Sequence, residues 1–213
     1  MDWAAETVVK VCGLTCFDDA QGALDAGADL VGFVLVKGST REVSRDQLRS
    51  IVSQLERPEC SVAVLGNIER NDAVSVVDDT SVAAIQLCGV ASAQDFRDFP
   101  VPILRRVDVS DAGAREMDQW ADVAHCFVLD RPGALGGTGE TVDFRKAREM
   151  VSRGPCLLAG GLGPENVAAA IEVVAPWGVD ASSGLEAAPR EKSGRRVLEY
   201  IRNARSALTQ VER

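Results

Sequence analysis

The stretch CLLAGGLGPENVAAAIEVVAPWGVDA, residues 156–181, contains a strand, a helix and a second strand in succession. Residues 156–159 and 179–181 form short apolar runs, which are typical of parallel strands buried on both faces. Between these runs, apolar side chains recur at helical spacing, at Val167, Ala170, Ile171 and Val174. Pro164 suits the first position of that helix. The stretch therefore predicts two parallel strands joined by a right-handed helical crossover.

The same alternation extends over the rest of the chain. Eight short apolar runs predict strands at residues 8–12, 30–35, 61–65, 82–87, 103–107, 126–129, 156–159 and 179–181. Amphipathic stretches separate these runs. Ser44 and Gln47 predict a capping box at the start of one helix, and Thr15 with Asp18 opens another that Gly27 closes. Weaker helical patterns cover residues 71–79, 92–99, 111–121 and 143–152, and a final helix carries Val197, Ile201, Ala204 and Leu208.

Eight strand–helix units in strict alternation favour a closed (β/α)₈ TIM barrel, an α/β fold, over an open doubly wound sheet. No linker or low-complexity segment divides the chain, so we expect residues 1–213 to form one domain. In such barrels the active site lies at the carboxyl ends of the strands and in the loops that follow them. Those strand ends are therefore where functional residues are expected.

The composition narrows the possible partners. Apolar residues make up 46% of the chain, which is enough to bury a core and excludes a disordered acidic tail. The net charge of −9 argues against nucleic acid and membrane surfaces as main partners. No apolar run approaches the roughly 20 residues of a membrane span, and the first residues lack a signal-peptide pattern, so we expect a cytoplasmic protein. The acidic, lysine-poor surface fits either a salt-adapted source or an ordinary acidic protein.

Cysteine and histidine usage argues against a metal site. The six cysteines form no C-x-x-C pair, and His125 is the single histidine, so a zinc site is poorly supplied and we expect no metal. We expect reduced thiols, with Cys126 and Cys156 as core residues. One histidine also disfavours a serine–histidine nucleophile, and His125 itself is expected to be structural.

Several residues whose types suggest a role other than packing lie at or after the ends of the predicted strands. They are Cys12 at strand one, Arg41 after strand two, Asp130, Gly136, Gly137 and Gly139 after strand six, Gly160 and Gly161 after strand seven, and Asp180, Ser182, Ser183 and Gly184 at strand eight. Tight turns also need glycine. Three glycine-containing loops at neighbouring strand ends nevertheless favour a cradle in which backbone N–H groups and a helix N-terminus bind phosphate. The sequence thus predicts a phosphorylated small-molecule ligand.

Several motifs along the chain carry a family resemblance. They are VKVCGLT (9–15), AGAD (26–29) with GFV (32–34), QLCG (86–89), LD (129–130) with GGTG (136–139), LAGGL (158–162) with PENV (164–167), and GVDASSGLE (178–186). Together, in order over most of the chain, they resemble the phosphoribosylanthranilate isomerases. The resemblance implies an Amadori rearrangement in tryptophan biosynthesis, which converts N-(5-phosphoribosyl)anthranilate to 1-(2-carboxyphenylamino)-1-deoxyribulose 5-phosphate without metal or cofactor.

The resemblance also implies roles for individual residues. Cys12 would be the base and must be held as a thiolate, and Asp130 would be the acid and must be kept protonated by its surroundings. Arg41 would face the anthranilate carboxylate, and Asp180 would orient or line the site, a purely structural role for Asp180 being equally open. Gly136, Gly137 and Gly139 would shape loop six, and the phosphate would be bound by Gly160, Gly161, Ser182, Ser183 and Gly184.

The chain departs from the family pattern at some positions. The histidine of the family's Q-L-H-G motif is Cys88 here, which excludes a role that needs an imidazole. The family's S-P-R segment reads Ser39-Thr40-Arg41, and its Lys-Asp near the last loop reads Lys192-Ser193. These changes leave Cys12 and Asp130 in place.

Two other functions are compatible with the pattern. The related aminoaldose–ketose isomerase of histidine biosynthesis performs the same rearrangement, but it typically has aspartate where Cys12 stands. A non-catalytic phosphosugar-binding barrel is the other alternative, and the presence of both Cys12 and Asp130 argues against it. The sequence does not distinguish a monomer from a homodimer.

Overall fold

A computed structural model of the protein describes residues 7–132 and 142–211. Eight parallel strands close into a barrel in which each strand pairs with the next and β8 pairs with β1. The strands are β1 (Val8–Cys12), β2 (Leu30–Val34), β3 (Ser61–Leu65), β4 (Ala84–Leu87), β5 (Ile103–Asp108), β6 (Cys126–Asp130), β7 (Cys156–Leu158) and β8 (Gly178–Ala181). The predicted (β/α)₈ barrel is confirmed, with its strands at the predicted apolar runs.

Helices surround the barrel. In the described part of the chain the α-helices are α1 (Phe17–Asp25), α2 (Arg45–Val52), α3 (Arg70–Thr80), α4 (Asp111–Trp120), α5 (Phe144–Met150), α6 (Val167–Val174) and α7 (Gly194–Val211). The predicted capping box of α2 is present, because Ser44 Oγ accepts from the Gln47 N–H and Gln47 Oε1 accepts from the Ser44 N–H. None of the helices in the described residues is long and apolar enough to cross a membrane.

Two helices begin later than predicted. At α1, Cys16 is the N-cap residue without a side-chain cap, and Thr15 Oγ1 instead donates to the carbonyl of Arg190. At α6, the helix begins at Val167, after a turn that contains Pro164. The side chain of Asn166 holds this turn, since it accepts from the Gly163 N–H and donates to the Gly161 carbonyl.

The segment between β4 and β5 does not form the α-helix that was predicted over residues 92–99. It contains a 3₁₀ turn at Ala93–Phe96. Asp98 has a left-handed backbone, and Pro100 disfavours the helical conformation at the residue before it. Both features stop a helix from continuing.

After β8 the chain forms a short antiparallel hairpin that the sequence did not predict. Its strands are β9 (Glu186–Ala188) and β10 (Glu191–Lys192). The strands are short and charged, so they lack the apolar runs by which the barrel strands were recognised.

The side chains of β1 alternate between two cores. Val9 and Val11 point outward into the layer between strands and helices, whereas Val8, Lys10 and Cys12 share the inner face. A cluster of apolar side chains shares this interior: Val8, Leu30, Val62, Ala84, Leu104, Cys126, Val128 and Leu157. Cys12 therefore ends the strand with its side chain toward the barrel mouth.

Candidate active site

A cavity of about 580 Å³ opens at the carboxyl ends of the strands. It brings together most of the residues singled out from the sequence: Cys12, Arg41, Asp130, Gly160, Gly161, Asp180, Ser182 and Ser183. Gly184 does not line the cavity but packs directly against the backbone carbonyl of Leu162. Gly136, Gly137 and Gly139 lie outside the described residues.

Cys12 lies at the end of β1, largely buried but open to the cavity. Its strand partner on β2 is Gly32, where a Cβ atom would lie 2.7 Å from the Cys12 sulfur. Burial raises the pKa of the Cys12 thiol, and the positive charges of Lys10 and Lys192 oppose that shift. The thiol thus lies in a tight, largely buried position, under the influence of two cations.

Lys10 and Asp180 form an ion pair beneath the cavity. The Lys10 Nζ atom lies 2.8 Å from Asp180 Oδ2, and the lysine side chain is fully buried. Although burial alone would lower the pKa of Lys10, the carboxylate of Asp180 and the thiol of Cys12 raise it above its ordinary value. Lys10 therefore remains an ammonium inside the barrel.

Asp130 ends β6, so the strands β7 and β8 separate it from Cys12 on β1. Its Oδ1 atom accepts from the Arg131 N–H at 2.8 Å, and its Oδ2 atom lies 3.7 Å from Arg106 Nε. Arg106 also pairs with Asp108 at 2.6 Å. The carboxyl group of Asp130 consequently faces the cavity beside a guanidinium.

Arg41 reaches the cavity rim from the loop after β2. Glu186 of β9 binds its guanidinium at two points, and both side chains are largely buried. Burial alone would raise the pKa of Glu186, but the hydrogen bond from Arg41 and the charge of Lys192 hold it below its usual value. Arg41 Nη1 lies 3.5 Å from Thr40 Oγ1, so this nitrogen is weakly engaged.

The loops after β7 and β8 present backbone donors to the cavity. Gly160 and Gly161 have left-handed backbones, with φ of +83° and +70°, which glycine adopts without strain. Within the described part of the chain, the N–H groups of Gly160, Gly161 and Ser183 donate to no other protein group. Lys192 Nζ donates to the Ser182 carbonyl at 3.0 Å and fixes this loop from behind. The arrangement suits a small anion.

The structure adds Gln86 to the cavity residues that the sequence analysis had assigned. Gln86 Oε1 and Asp180 Oδ1 are buried acceptors without a hydrogen-bond partner among the described residues. Gln86 Nε2 lies 3.3 Å from the sulfur of Cys88, and burial raises the pKa of that thiol to about 11. Gln86 belongs to the QLCG motif, which was the available signal for it. Two unpaired buried acceptors suit a ligand that carries hydroxyl groups.

Cys126 and Cys156 are core residues, as predicted. Cys126 and Cys156 are fully buried away from the cavity lining, and all six cysteines in the chain are free. Burial raises the pKa of the Cys156 thiol to about 12.

Comparison with known proteins gives a consistent result. The family model described as N-(5'phosphoribosyl)anthranilate (PRA) isomerase matches residues 9–203. The N-(5'-phosphoribosyl)anthranilate isomerase of Desulforudis audaxviator is 35% identical over 205 residues, which are 95% of this chain and 100% of that relative. The crystal structure of phosphoribosyl anthranilate isomerase from Thermotoga maritima superposes with a TM-score of 0.83 at 33% identity, covering 94% of this chain and 99% of that one.

A further crystal structure of a phosphoribosyl anthranilate isomerase contains reduced 1-(o-carboxyphenylamino)-1-deoxyribulose 5-phosphate. It superposes with a TM-score of 0.81 at 31% identity and covers 94% of this chain and 99% of that one. The similarity therefore extends over the whole barrel.

Proposed function

Since the chain belongs to the N-(5'-phosphoribosyl)anthranilate isomerase family, we propose that it performs the rearrangement by general acid–base catalysis, with Cys12 as base and Asp130 as acid. The isomerase activity and its place in tryptophan biosynthesis follow from the family. The observation that carries the proposed roles is that both side chains line one cavity, from strands separated by β7 and β8. A substrate between them is accessible to an acid and a base on different sides.

Each step of the reaction is a proton transfer together with the bond changes within the substrate that accompany it. Asp130 protonates the furanose ring oxygen, the C1–O bond breaks, and the nitrogen lone pair forms a C=N bond. Cys12 as a thiolate then takes the C2 proton, which leaves an enolamine. Loss of the enol hydroxyl proton and protonation of C1 give the ketone. C1 is reduced and C2 is oxidised within the same molecule, so no oxidant, cofactor or metal is required. Arg106, beside Asp130, stabilises the carboxylate that remains after the first step.

The loops after β7 and β8 supply the phosphate site in this proposal. The N–H groups of Gly160, Gly161 and Ser183 are the donors, and Ser182 and Ser183 add hydroxyl groups at the cavity wall. Neutral backbone donors bind a dianion without bringing a further titratable group beside the catalytic thiol. Gly184 also lets the loop after β8 approach the Leu162 carbonyl closely.

Arg41 binds the anthranilate carboxylate in this proposal. Glu186 occupies Nε and Nη2, so Nη1 is the guanidinium nitrogen left to meet the substrate. Asp180 Oδ1 and Gln86 Oε1, which are buried at the cavity wall, accept hydrogen bonds from the ribose hydroxyl groups. These contacts fix the substrate at its carboxylate, its phosphate and its sugar.

We also propose where the enzyme acts and in what assembly state. Six free thiols suit a reducing cytoplasm, and the small-molecule cavity suits a phosphorylated sugar as the partner. One barrel that makes up the whole chain, acting as a monomer or homodimer, is part of the same proposal.

The test uses N-(5-phosphoribosyl)anthranilate that is generated in situ from anthranilate. The fluorescence of this substrate is lost as the enzyme converts it. We expect the protein to consume it, and Cys12→Ser to lower the single-turnover rate by about 10²-fold or more. Cys16→Ser is the matched control, because Cys16 is an exposed thiol outside the cavity lining, and it should keep the full rate. A full rate in Cys12→Ser would exclude Cys12 as the base. Turnover of the aminoimidazole carboxamide ribotide in place of this substrate would favour the isomerase of histidine biosynthesis.

A further inference from the structure

We propose that Lys10 is a positioning residue for this reaction: its buried ammonium, held by Asp180, stabilises the thiolate of Cys12. The proposal rests on the role of Cys12 as base, and it adds the group that makes that role possible. Lys10 belongs to the VKVCGLT motif but is not among the residues that line the cavity, and the reaction steps above leave it unused.

The strand geometry places Lys10 directly beneath Cys12. The two residues lie two positions apart on β1, so both side chains enter the barrel from the same face. Gly32 on the neighbouring strand leaves the space that they share. A Cβ atom at Gly32 would lie 2.7 Å from the Cys12 sulfur and 3.3 Å from Lys10 Nζ. The ammonium and the sulfur therefore converge on one spot.

The hydrogen bonds of the ammonium leave a donor for the sulfur. Lysine has three N–H donors, and one is directed to Asp180 Oδ2 at 2.8 Å. The charge of the ammonium also acts on the Cys12 thiol, since each group shifts the pKa of the other toward its charged form. Asp180 thus fixes the lysine on the face of β1 that Cys12 shares.

Folding alone does not account for this ion pair. The interior around it is apolar, and replacing a buried ion pair by apolar side chains is often neutral or stabilising. Burying a lysine in this position takes a full positive charge out of water. The benefit that offsets this cost must lie in the effect of the charge on its neighbours. Next to a base that has to ionise in a largely buried position, a fixed positive charge has a direct use.

Other charged and titratable groups also face Cys12. They are Asp180 on β8, Lys192 on β10 and Cys88 after β4, with Asp130 and Arg106 on the far side of the cavity. Lys192 donates to the Ser182 carbonyl and lies 3.5 Å from Glu186, so its charge is shared with the rim. The described hydrogen bond of Lys10 goes to Asp180, so its charge is not shared with the rim.

The experiment measures how fast iodoacetamide alkylates Cys12 as a function of pH. In a Cys16→Ser background Cys12 is the single thiol of its tryptic peptide, which mass spectrometry quantifies. Lys10→Gln removes the charge but keeps an N–H donor for Asp180, and Lys10→Met removes both. We expect either variant to move the alkylation midpoint up by at least about one pH unit, and to lower kcat at pH 7 about tenfold with little change in KM.

Lys10→Arg keeps the charge and should hold the midpoint closer to that of the parent. Lys146→Gln on the outer helix α5 is the matched control and should change neither quantity. If one Lys10 variant fails to fold, as judged by its circular dichroism, the other still tests the charge. An unchanged alkylation profile in folded Lys10→Gln, or a shifted profile with unchanged kcat, would overturn the proposal. Full activity in Cys12→Ser would instead overturn the role of Cys12, so the two failures are distinguishable.

Discussion

Glu186 accepts two hydrogen bonds from the guanidinium of Arg41, from Nε to Oε1 at 2.6 Å and from Nη2 to Oε2 at 2.7 Å. A two-point contact fixes the plane of a guanidinium as well as its position. The pair joins the loop after β2 to the hairpin that follows β8, across the rim of the cavity. In the proposed reaction, Glu186 therefore sets the orientation in which Arg41 meets the carboxylate of the substrate.

Glu186→Gln should weaken substrate binding more than turnover. An amide accepts one of the two hydrogen bonds and carries no charge, so Arg41 loses its fixed plane. We expect KM to rise about tenfold with a smaller fall in kcat, measured by steady-state kinetics. Glu199→Gln is the control, since Glu199 forms an exposed ion pair with Arg195 on α7. An unchanged KM in Glu186→Gln would show that Arg41 does not depend on this contact.

The same carboxylate predicts a pH dependence of stability. The pKa of Glu186 is lower in the folded state, so its contribution to the free energy of unfolding is complete above the unfolded value of about 4.3. It is lost as the pH falls through the lower folded value. Urea unfolding should therefore show a constant difference in the free energy of unfolding between the wild type and Glu186→Gln from about pH 7 to 5. Below about pH 4 this difference should shrink. A gap that stays the same down to pH 3 would contradict this linkage.

Asp130→Asn should abolish the acid while keeping the shape of the side chain. We expect kcat to fall by about 10²-fold or more, with KM nearly unchanged, because ring opening loses its proton donor. Asp122→Asn, an exposed carboxylate in the turn before β6, should retain full activity in the same assay. Equal turnover in the two variants would remove Asp130 from the mechanism.

Gly32→Ala tests the packing around the thiol. A methyl group 2.7 Å from the Cys12 sulfur must displace that side chain, so we expect kcat to fall about tenfold or more. Gly22→Ala is the contrasting substitution, because a Cβ there meets nothing within 4 Å and the residue lies inside α1. It should stabilise the fold by about 0.5–1 kcal/mol and leave kcat unchanged, as measured by urea unfolding and by the fluorescence assay. A full rate in Gly32→Ala would mean that the sulfur does not need its present position.

The apolar runs predicted the barrel strands because parallel strands buried on both faces leave a local pattern. The β9–β10 hairpin has no such pattern, because its strands are only three and two residues long and contain charged residues. The strand ends located Cys12, Arg41, Asp130 and Asp180 at one cavity. Their partners were beyond the reach of local patterns: Glu186 lies 145 residues from Arg41, and Asp180 lies 170 residues from Lys10. Such pairs exist only once the chain has folded back on itself.

The distance between Lys10 and Asp180 along the chain has a consequence for biosynthesis on the ribosome. Lys10 emerges with the first strand, whereas its counter-charge emerges with the eighth. Until then the ammonium needs water, because burying it without a partner costs several kcal/mol. A nascent chain that lacks β8 is therefore kept open at the seam between its first and seventh strands. The last strand both completes the wall and neutralises the charge, so closure of the barrel and formation of the Lys10–Asp180 ion pair coincide with the addition of β8.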